Sequence, residues 1–284
     1  MLINIIMCLI YIGKNYSVTV KKVFPFFLLS IVCFASCKQP YYFLSPLNST
    51  SQTYHTIPLQ SDSIRSAIYA NGIVTLGAAN QAGRDNVYSF NGNISRSHNL
   101  GLFQAYYGIG FTAGDYIIQK YSNTPVTIPP TDNFFEAIGV NGAINLVVPL
   151  GHRGSEWRII GVETSLQNES GSYLQFRKSI VDSASDYNLI EANNWTTTIG
   201  GYSEIIFKTN DDIQLGYKIA CGESLQNSSN YYGYAVHVNP FYLSNTFHAT
   251  RKSVTAFAQI YVGTYATGIQ LGINYRIHKK KKKF

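Results

Sequence analysis

The chain has 284 residues, a formal charge of +7, 45% hydrophobic and 14% aromatic residues, and four cysteines. The charge sits at the ends: Lys14, Lys21 and Lys22 lie in the first residues and Lys279 to Lys283 in the last, so residues 38–278 carry 14 basic side chains against 15 acidic ones. A neutral body without a basic stripe excludes a nucleic-acid partner, and cysteines without paired Cys/His spacing exclude a disulfide framework and a zinc site.

Two lysines, Lys21 and Lys22, precede an apolar run from Val23 to Phe34 that ends in Ala35-Ser36-Cys37. A charged start, a short apolar run and a small-residue cleavage site make residues 1–36 a signal peptide, too short in its apolar part to span a bilayer. The cysteine after Ala35-Ser36 resembles the lipobox of bacterial lipoproteins, which implies that Cys37 carries acyl chains and begins the mature protein. Anchoring through more than one chain is firm. Met1 to Ile12 form a second apolar run ahead of a complete signal, so a start near residues 18–20 is expected. Lys38 to Ser63 is rich in Ser, Thr, Pro and Tyr without helical periodicity; the expectation is a lipid-anchored tether over residues 37–63, with Thr56 to Leu59 the first part to pack on a domain.

From Ile64 to His278 the pattern alternates with period two, the signature of strands with two unlike faces. Ile68, Ala70, Val74 and Leu76 oppose Tyr69, Asn71 and Thr75. Tyr88, Phe90 and Ile94 oppose Ser89, Asn91, Asn93 and Ser95, and Phe103 to Phe111 follow the same rule. The prolines of Tyr121 to Asp132 make that stretch a long loop. Ile138 to Leu146 alternate with glycine, alanine and asparagine until Pro149, and Trp157 to Leu166 sets Ile160, Val162 and Leu166 against Glu163 and Ser165. Tyr173 to Arg177 reads as a short strand and Ile180 to Asn193 as a second long loop with a helical turn. Trp195 to Phe207 and Ile213 to Cys221 form a hairpin, Glu223 to Asn230 a polar loop, and Tyr234 to Ala249 a strand interrupted near Asn239-Pro240. Val254 to Gly263 and Thr267 to Ile277 finish the count at eleven segments. The basic tail, residues 279–284, follows.

A soluble sandwich and a membrane barrel both alternate. Charged residues here cluster in turns, strand centres use Gly, Asn, Ser, Thr and Gln opposite the apolar face, and aromatics such as Tyr116, Trp157, Trp195, Tyr231, Tyr232, Tyr265 and Tyr275 sit near segment ends. These features fit a lipid-facing belt with interfacial girdles and a polar lumen. The expected fold is all-β, an antiparallel up-and-down membrane β-barrel; even strand number makes it ten or twelve within an overall range of about 10–12.

The stretch Val140 to Gly151 followed by Glu156 to Ser165, together with the lipobox at Cys37, Ile57-Pro58-Leu59 and the last strand Ile269 to Ile277, resembles small lipid-anchored outer-membrane β-barrel proteins of the Bacteroidota. The resemblance implies a barrel in the bacterial outer membrane with no catalytic residues to transfer. Many such barrels end on an aromatic closing the last strand, whereas Lys279 to Lys283 separate Phe284 from it here.

Chemistry is sparse. None of His55, His98, His152, His237, His248 and His278 falls in a serine-hydrolase motif, so no catalytic, cofactor or metal site is expected. Cys221 reads as a small apolar strand residue. Parity turns Glu163 and Glu204 into the lumen, where Arg177, Lys218 and Arg276 are expected to join them in a charge network, because charged groups in such a space pair or line a path. The leading function is a monomeric outer-membrane barrel lipoprotein with a structural, binding or narrow-transport role, partnered by outer-membrane lipid and by an unidentified small molecule or glycan. A soluble lipid-tethered β-sandwich that binds glycan or protein, and an interfacial lipid hydrolase, are the alternatives.

Overall fold

The computed structural model describes residues 42–50, 52–62, 64–80, 85–119, 131–151, 154–181, 189–209, 213–225 and 239–277. The signal peptide, Cys37, Tyr231, Tyr232, His152, His237 and the lysine tail lie outside the described residues.

Ten long strands close into an antiparallel up-and-down barrel. They are β2 (Ser66–Ala79), β3 (Asp85–Asn99), β4 (Phe103–Ile118), β5 (Thr131–Pro149), β6 (Glu156–Ser170), β8 (Trp195–Lys208), β9 (Ile213–Ser224), β10 (Phe241–Arg251), β11 (Val254–Gly263) and β12 (Ala266–Ile277). Closure runs through β12 and β2, paired from Ile277 with Ile68 to Ala266 with Ala79. Closure matters because an open edge would leave backbone groups unpaired in hydrocarbon. Two further strands, β1 (Tyr42–Phe43) and β7 (Leu189–Ile190), make a small parallel pair.

The alternation read from the sequence is the inside–outside pattern of this wall. Val74, Leu76, Phe90, Ile94, Ile109, Ile138, Val140, Ile144, Leu271 and Ile273 are all on the outer surface and exposed, while Ser89, Asn93, Ser95, Gln104, Asn145, Thr198, Gln270 and Asn274 point inward and are buried. That is the inverse of a soluble sheet and the arrangement of a membrane-spanning barrel. Trp157 and Trp195 face outward at opposite ends of the wall, where an indole suits the interface. Tyr116 is not in a girdle: it is buried inside, with its hydroxyl donating to Asp85 Oδ2 at 3.0 Å. Ile109, 65% exposed and mid-strand on β4, tests the assignment. Ile109→Arg should cost about 2–4 kcal/mol in a urea titration of the barrel in bilayers, and an unchanged midpoint would place this face away from lipid.

The two ends of the barrel are unequal. Residues 80–84, 119–130, 171–194 and 225–240 and the tight turn 264–265 connect strands at one end, called here the long-loop end. The other, short-turn end has 100–102, 150–155, 209–212 and 252–253, and both the start of β2 and the finish of β12.

Two further expectations need correction, and a third lies partly outside the described residues. Tyr173 to Arg177 is not a strand but lies in helix α2 (Ser172–Val181). Gly171, at φ +112°, breaks the direction of β6, and Tyr173, Phe176, Arg177 and Ile180 then fall on one helical face, which is buried most deeply at Tyr173 and Arg177. Losing that segment turns eleven into ten barrel strands. The strand expected from Tyr234 is described only from Phe241, and the preceding residues 226–238 lie outside the described set.

The second correction is the larger: the expected tether is inside the barrel. Every described side chain from Phe43 to Leu59 is buried. Its short helix, α1 (Leu47–Thr50), is a single turn. An apolar cluster of Phe43 and Leu47 with Val87, Tyr116, Ile118, Phe135, Tyr173 and Ile190 holds it at the long-loop end. The segment's two apolar anchors at the other end, Ile57 and Leu59, are buried as well.

Candidate functional site: the occupied lumen

The N-terminal segment traverses the barrel lengthwise. Phe43 pairs with Ile190 of β7 at the long-loop end, and Gln60 and Ser61 reach Gly101 and Gly154 in the short turns, where the chain reverses into β2. Between those points the wall supplies side-chain donors to the segment's carbonyls. Gln270 donates to Thr50 O (2.9 Å), Gln259 to Gln52 O (2.9 Å), Asn274 to Tyr54 O (3.4 Å), Ser97 to Thr56 O (2.9 Å), Arg158 to Ile57 O (3.0 Å), Gln104 to Pro58 O (3.1 Å) and Asn99 to Leu59 O (2.7 Å). Seven carbonyls are thus met by five strands, β12, β11, β3, β6 and β4, without forming a sheet. A prolyl residue at 58 and the helical turn prevent strand pairing, so the polar wall does the work that a ladder would do. Aromatic rings complete the fit: Tyr54 stacks on His248 at 4.4 Å and His55 on Tyr106 at 4.4 Å. Two wall glycines make room for such rings, since a Cβ at Gly161 would collide with Tyr202 and one at Gly216 with His248.

Charged groups in the lumen fall into separate clusters. Glu163 of β6 accepts from Lys218 of β9, whose ammonium also lies 4.2 Å over the Tyr202 ring. Glu204 of β8 pairs with Arg158 of β6 at 2.6 Å, and His248 Nε2 lies 2.8 Å from its other oxygen. Arg158 is fully buried and is the hub of that cluster, reaching Glu156 at 2.9 Å, Gln104 at 2.7 Å and the Ile57 carbonyl. Glu156 in turn accepts from the Gln60 amide at 2.6 Å. Arg276 stands opposite Tyr69 of β2, near the short-turn end. Arg177 is apart from all of these, on α2 over the long-loop end, with Glu169 at 2.5 Å and Glu191 at 4.0 Å.

That last cluster fastens the top of the segment. Glu191 Oε2 accepts from the Ser45 amide (3.1 Å) and Asn48 Nδ2 (3.0 Å), while Ser45 Oγ donates to Glu169 Oε2 at 2.6 Å. Burial pushes the Glu191 carboxyl up to about 7, against the opposing pull of Arg177 and of the Ser45 and Asn48 donors. A carboxyl raised in the folded state stabilises it fully below the ordinary carboxylate range and loses that contribution as pH rises toward 7. Amide exchange over residues 44–50 should therefore show protection falling between about pH 4.5 and pH 7 relative to Glu191→Gln, by up to about 3 kcal/mol. Equal profiles for the two proteins would mean that Glu191 keeps an ordinary titration.

Arg158, Glu156, Glu169 and His248 were not foreseen as a lumen cluster. A β-bulge explains the first two: between Arg158 and Gly161 the register shifts, leaving Ile159 and Ile160 both outward and reversing parity. Counting back from Glu163 with unbroken alternation puts Arg158 on the lipid face, and an arginine there would have been the signal that parity had changed. Among the described residues, the segment leaves at the long-loop mouth a cavity of only about 20 Å³ beside Leu44, Asn48, Tyr116 and Phe241, room for about one water.

No protein-family model matches the chain, and no curated protein matches it. Solved structures with a similar fold include the β domain of the Bordetella autotransporter BrkA (8% identity, TM-score 0.43, 76% of this chain and 100% of that one). The translocator domain of the autotransporter NalP from Neisseria meningitidis (9%, 0.36, 77% and 91%) and an outer-membrane channel from Pseudomonas putida F1 (8%, 0.39, 79% and 100%) are others. Likeness at this level extends to barrel architecture and carries no information on activity.

Proposed function

We propose that the protein is a monomeric outer-membrane lipoprotein, acylated at Cys37, whose barrel is closed by its own N-terminal segment and serves a structural or binding role at the envelope. The observation that carries this reading is the run of seven wall-to-carbonyl hydrogen bonds from Thr50 to Leu59, which leaves the segment no slack to share the lumen with a solute. Narrow transport is disfavoured accordingly. The long loops, not the lumen, are the surface on which a glycan or small molecule would be met. The use of the described histidines supports a non-enzymatic role: His55 and His248 are packed on tyrosine rings and His98 is stacked on Tyr107 of the outer wall. The lipobox and the resemblance to Bacteroidota barrel lipoproteins support the anchor.

The test is a pair of measurements on the purified full chain. Planar-bilayer recordings should show no steady conductance, and a persistent open current would overturn the closed-barrel reading. A Cys37→Ala protein should lose palmitate label yet still fractionate with the outer membrane and shift on a gel when boiled. Its appearance in the soluble periplasm would leave the lipid as the sole membrane contact.

A further inference from the structure

The direction of threading has a topological consequence. The segment runs from the long-loop end to the short-turn end before β2 begins, so Tyr42, its first described residue, stands at the long-loop end beside β7. The fastening there is specific: the Phe43 carbonyl accepts from the Glu191 amide at 3.0 Å, the Leu44 carbonyl from Tyr173 Oη at 3.2 Å, and Ser45 and Asn48 are held by Glu169 and Glu191. All three partners, Glu169, Tyr173 and Glu191, belong to the end of β6, α2 and the stretch after β7, on that same mouth. Tyr42 is five residue steps from Cys37, and a fully extended chain of that length spans at most about 18 Å. The hydrocarbon layer alone is about 30 Å thick, so an anchor on Cys37 cannot reach the leaflet at the short-turn end.

From this geometry we infer that the acyl anchor of Cys37 inserts into the leaflet on the long-loop side, which is the cell surface. The orientation follows from the connections: outer-membrane barrels place short turns in the periplasm and long loops outside, and both barrel termini here, Ser66 and Ile277, are on the short-turn side. The inference rests on the acylation of Cys37 proposed above. It makes the barrel the passage by which a lipid-modified N-terminus crosses the outer membrane, with the wall closing around residues 43–59 as it folds. The apolar cluster of Phe43, Leu47, Tyr116, Phe135 and Tyr173 then acts as a stopper beneath the anchor.

The experiment uses the full chain in living cells. A protease site is inserted between Gln39 and Pro40, and single-cysteine reporters are placed at Thr264 on the long-loop end and Ser253 on the short-turn end. Palmitate labelling, lost in Cys37→Ala, establishes acylation first. The inference expects protease added to intact cells to release the labelled N-terminus from the barrel, with a membrane-impermeant maleimide reacting at T264C before permeabilisation and at S253C only after it. Labelled protein that is cut only once the outer membrane is permeabilised overturns the surface anchor while leaving the lipoprotein reading in place. Absence of palmitate overturns both. T264C protected and S253C reactive in intact cells would reverse the barrel and put the anchor in the inner leaflet, which also overturns it.

Discussion

A chain with residues 42–59 removed, in which Gln60 follows Tyr41, should insert as a barrel and conduct in planar bilayers where the full chain is silent. Removing the segment leaves Gln270, Gln259, Asn274, Ser97, Gln104 and Asn99 without the carbonyls they meet now. Because these are polar groups in a space open at both ends once the stopper is gone, water replaces the peptide. A wetted lumen is then a pore. Stability should fall too: each neutral hydrogen bond contributes roughly 0.5–1.5 kcal/mol net, and burial of Phe43, Leu47, Tyr54, Ile57 and Leu59 is lost as well. The boiled-to-folded gel transition should move to markedly lower temperature. A synthetic peptide of residues 42–62 should restore the silent state, and its effect measures whether the segment binds as a separable element. A truncated barrel as silent and as heat-resistant as the full chain would show that the wall side chains, not the segment, close the lumen.

The wall was legible because the property that decides it is local. A strand with one face in lipid and one in a polar lumen must alternate, and Gly, Asn, Ser and Thr opposite Ile, Val and Phe are enough to orient residues such as Ile138, Asn141 and Ile144 without knowing a neighbour. The segment from Phe43 to Leu59 was not legible by that rule, because it forms neither ladder nor helix of any length. Its bonds are made by wall residues 40 to 220 positions away, as with Leu59 and Asn99 or Thr50 and Gln270, and no period in the sequence records them. The usable hint was composition: residues 42–59 hold no formal charge, which is unusual for a solvated spacer and suits a chain lying among neutral amides and hydroxyls. Among the candidate lumen charges, Glu163, Glu204 and Lys218 could be placed by parity because alternation holds at each of them, the bulge of β6 falling before Gly161. Arg177 could not, since Tyr173 to Arg177 satisfies an alternating pattern about as well as a helical one. The bulge beside Arg158 hid the most connected cation for a similar reason: a single extra residue inverts every assignment beyond it.

Arg158 carries the second large effect. Its guanidinium is fully buried and binds Glu156, Glu204, Gln104 and the Ile57 carbonyl at once, tying β4, β6, β8 and the threaded segment together. Replacing it with methionine keeps the bulk and deletes the charge, which leaves Glu156 and Glu204 facing each other in the lumen with one cation fewer. Removing one member of a buried pair costs about 3–5 kcal/mol, chiefly the penalty of the stranded charge. Arg158→Met should therefore lower the urea midpoint of the barrel by that amount and raise protease access to residues near Ile57. Arg158→Lys should recover only part of it, because a compact ammonium cannot reproduce a planar fork serving four acceptors. The triple change E156Q/R158M/E204Q removes the stranded charges together with their partner, so it should regain most of the stability while leaving the Ile57 carbonyl without its donor. If the triple protein is as unstable as R158M alone, the contribution of Arg158 is packing and not charge; if it regains stability but its segment stays open to protease, the bond to Ile57 is what holds the lower half of the threaded chain in place.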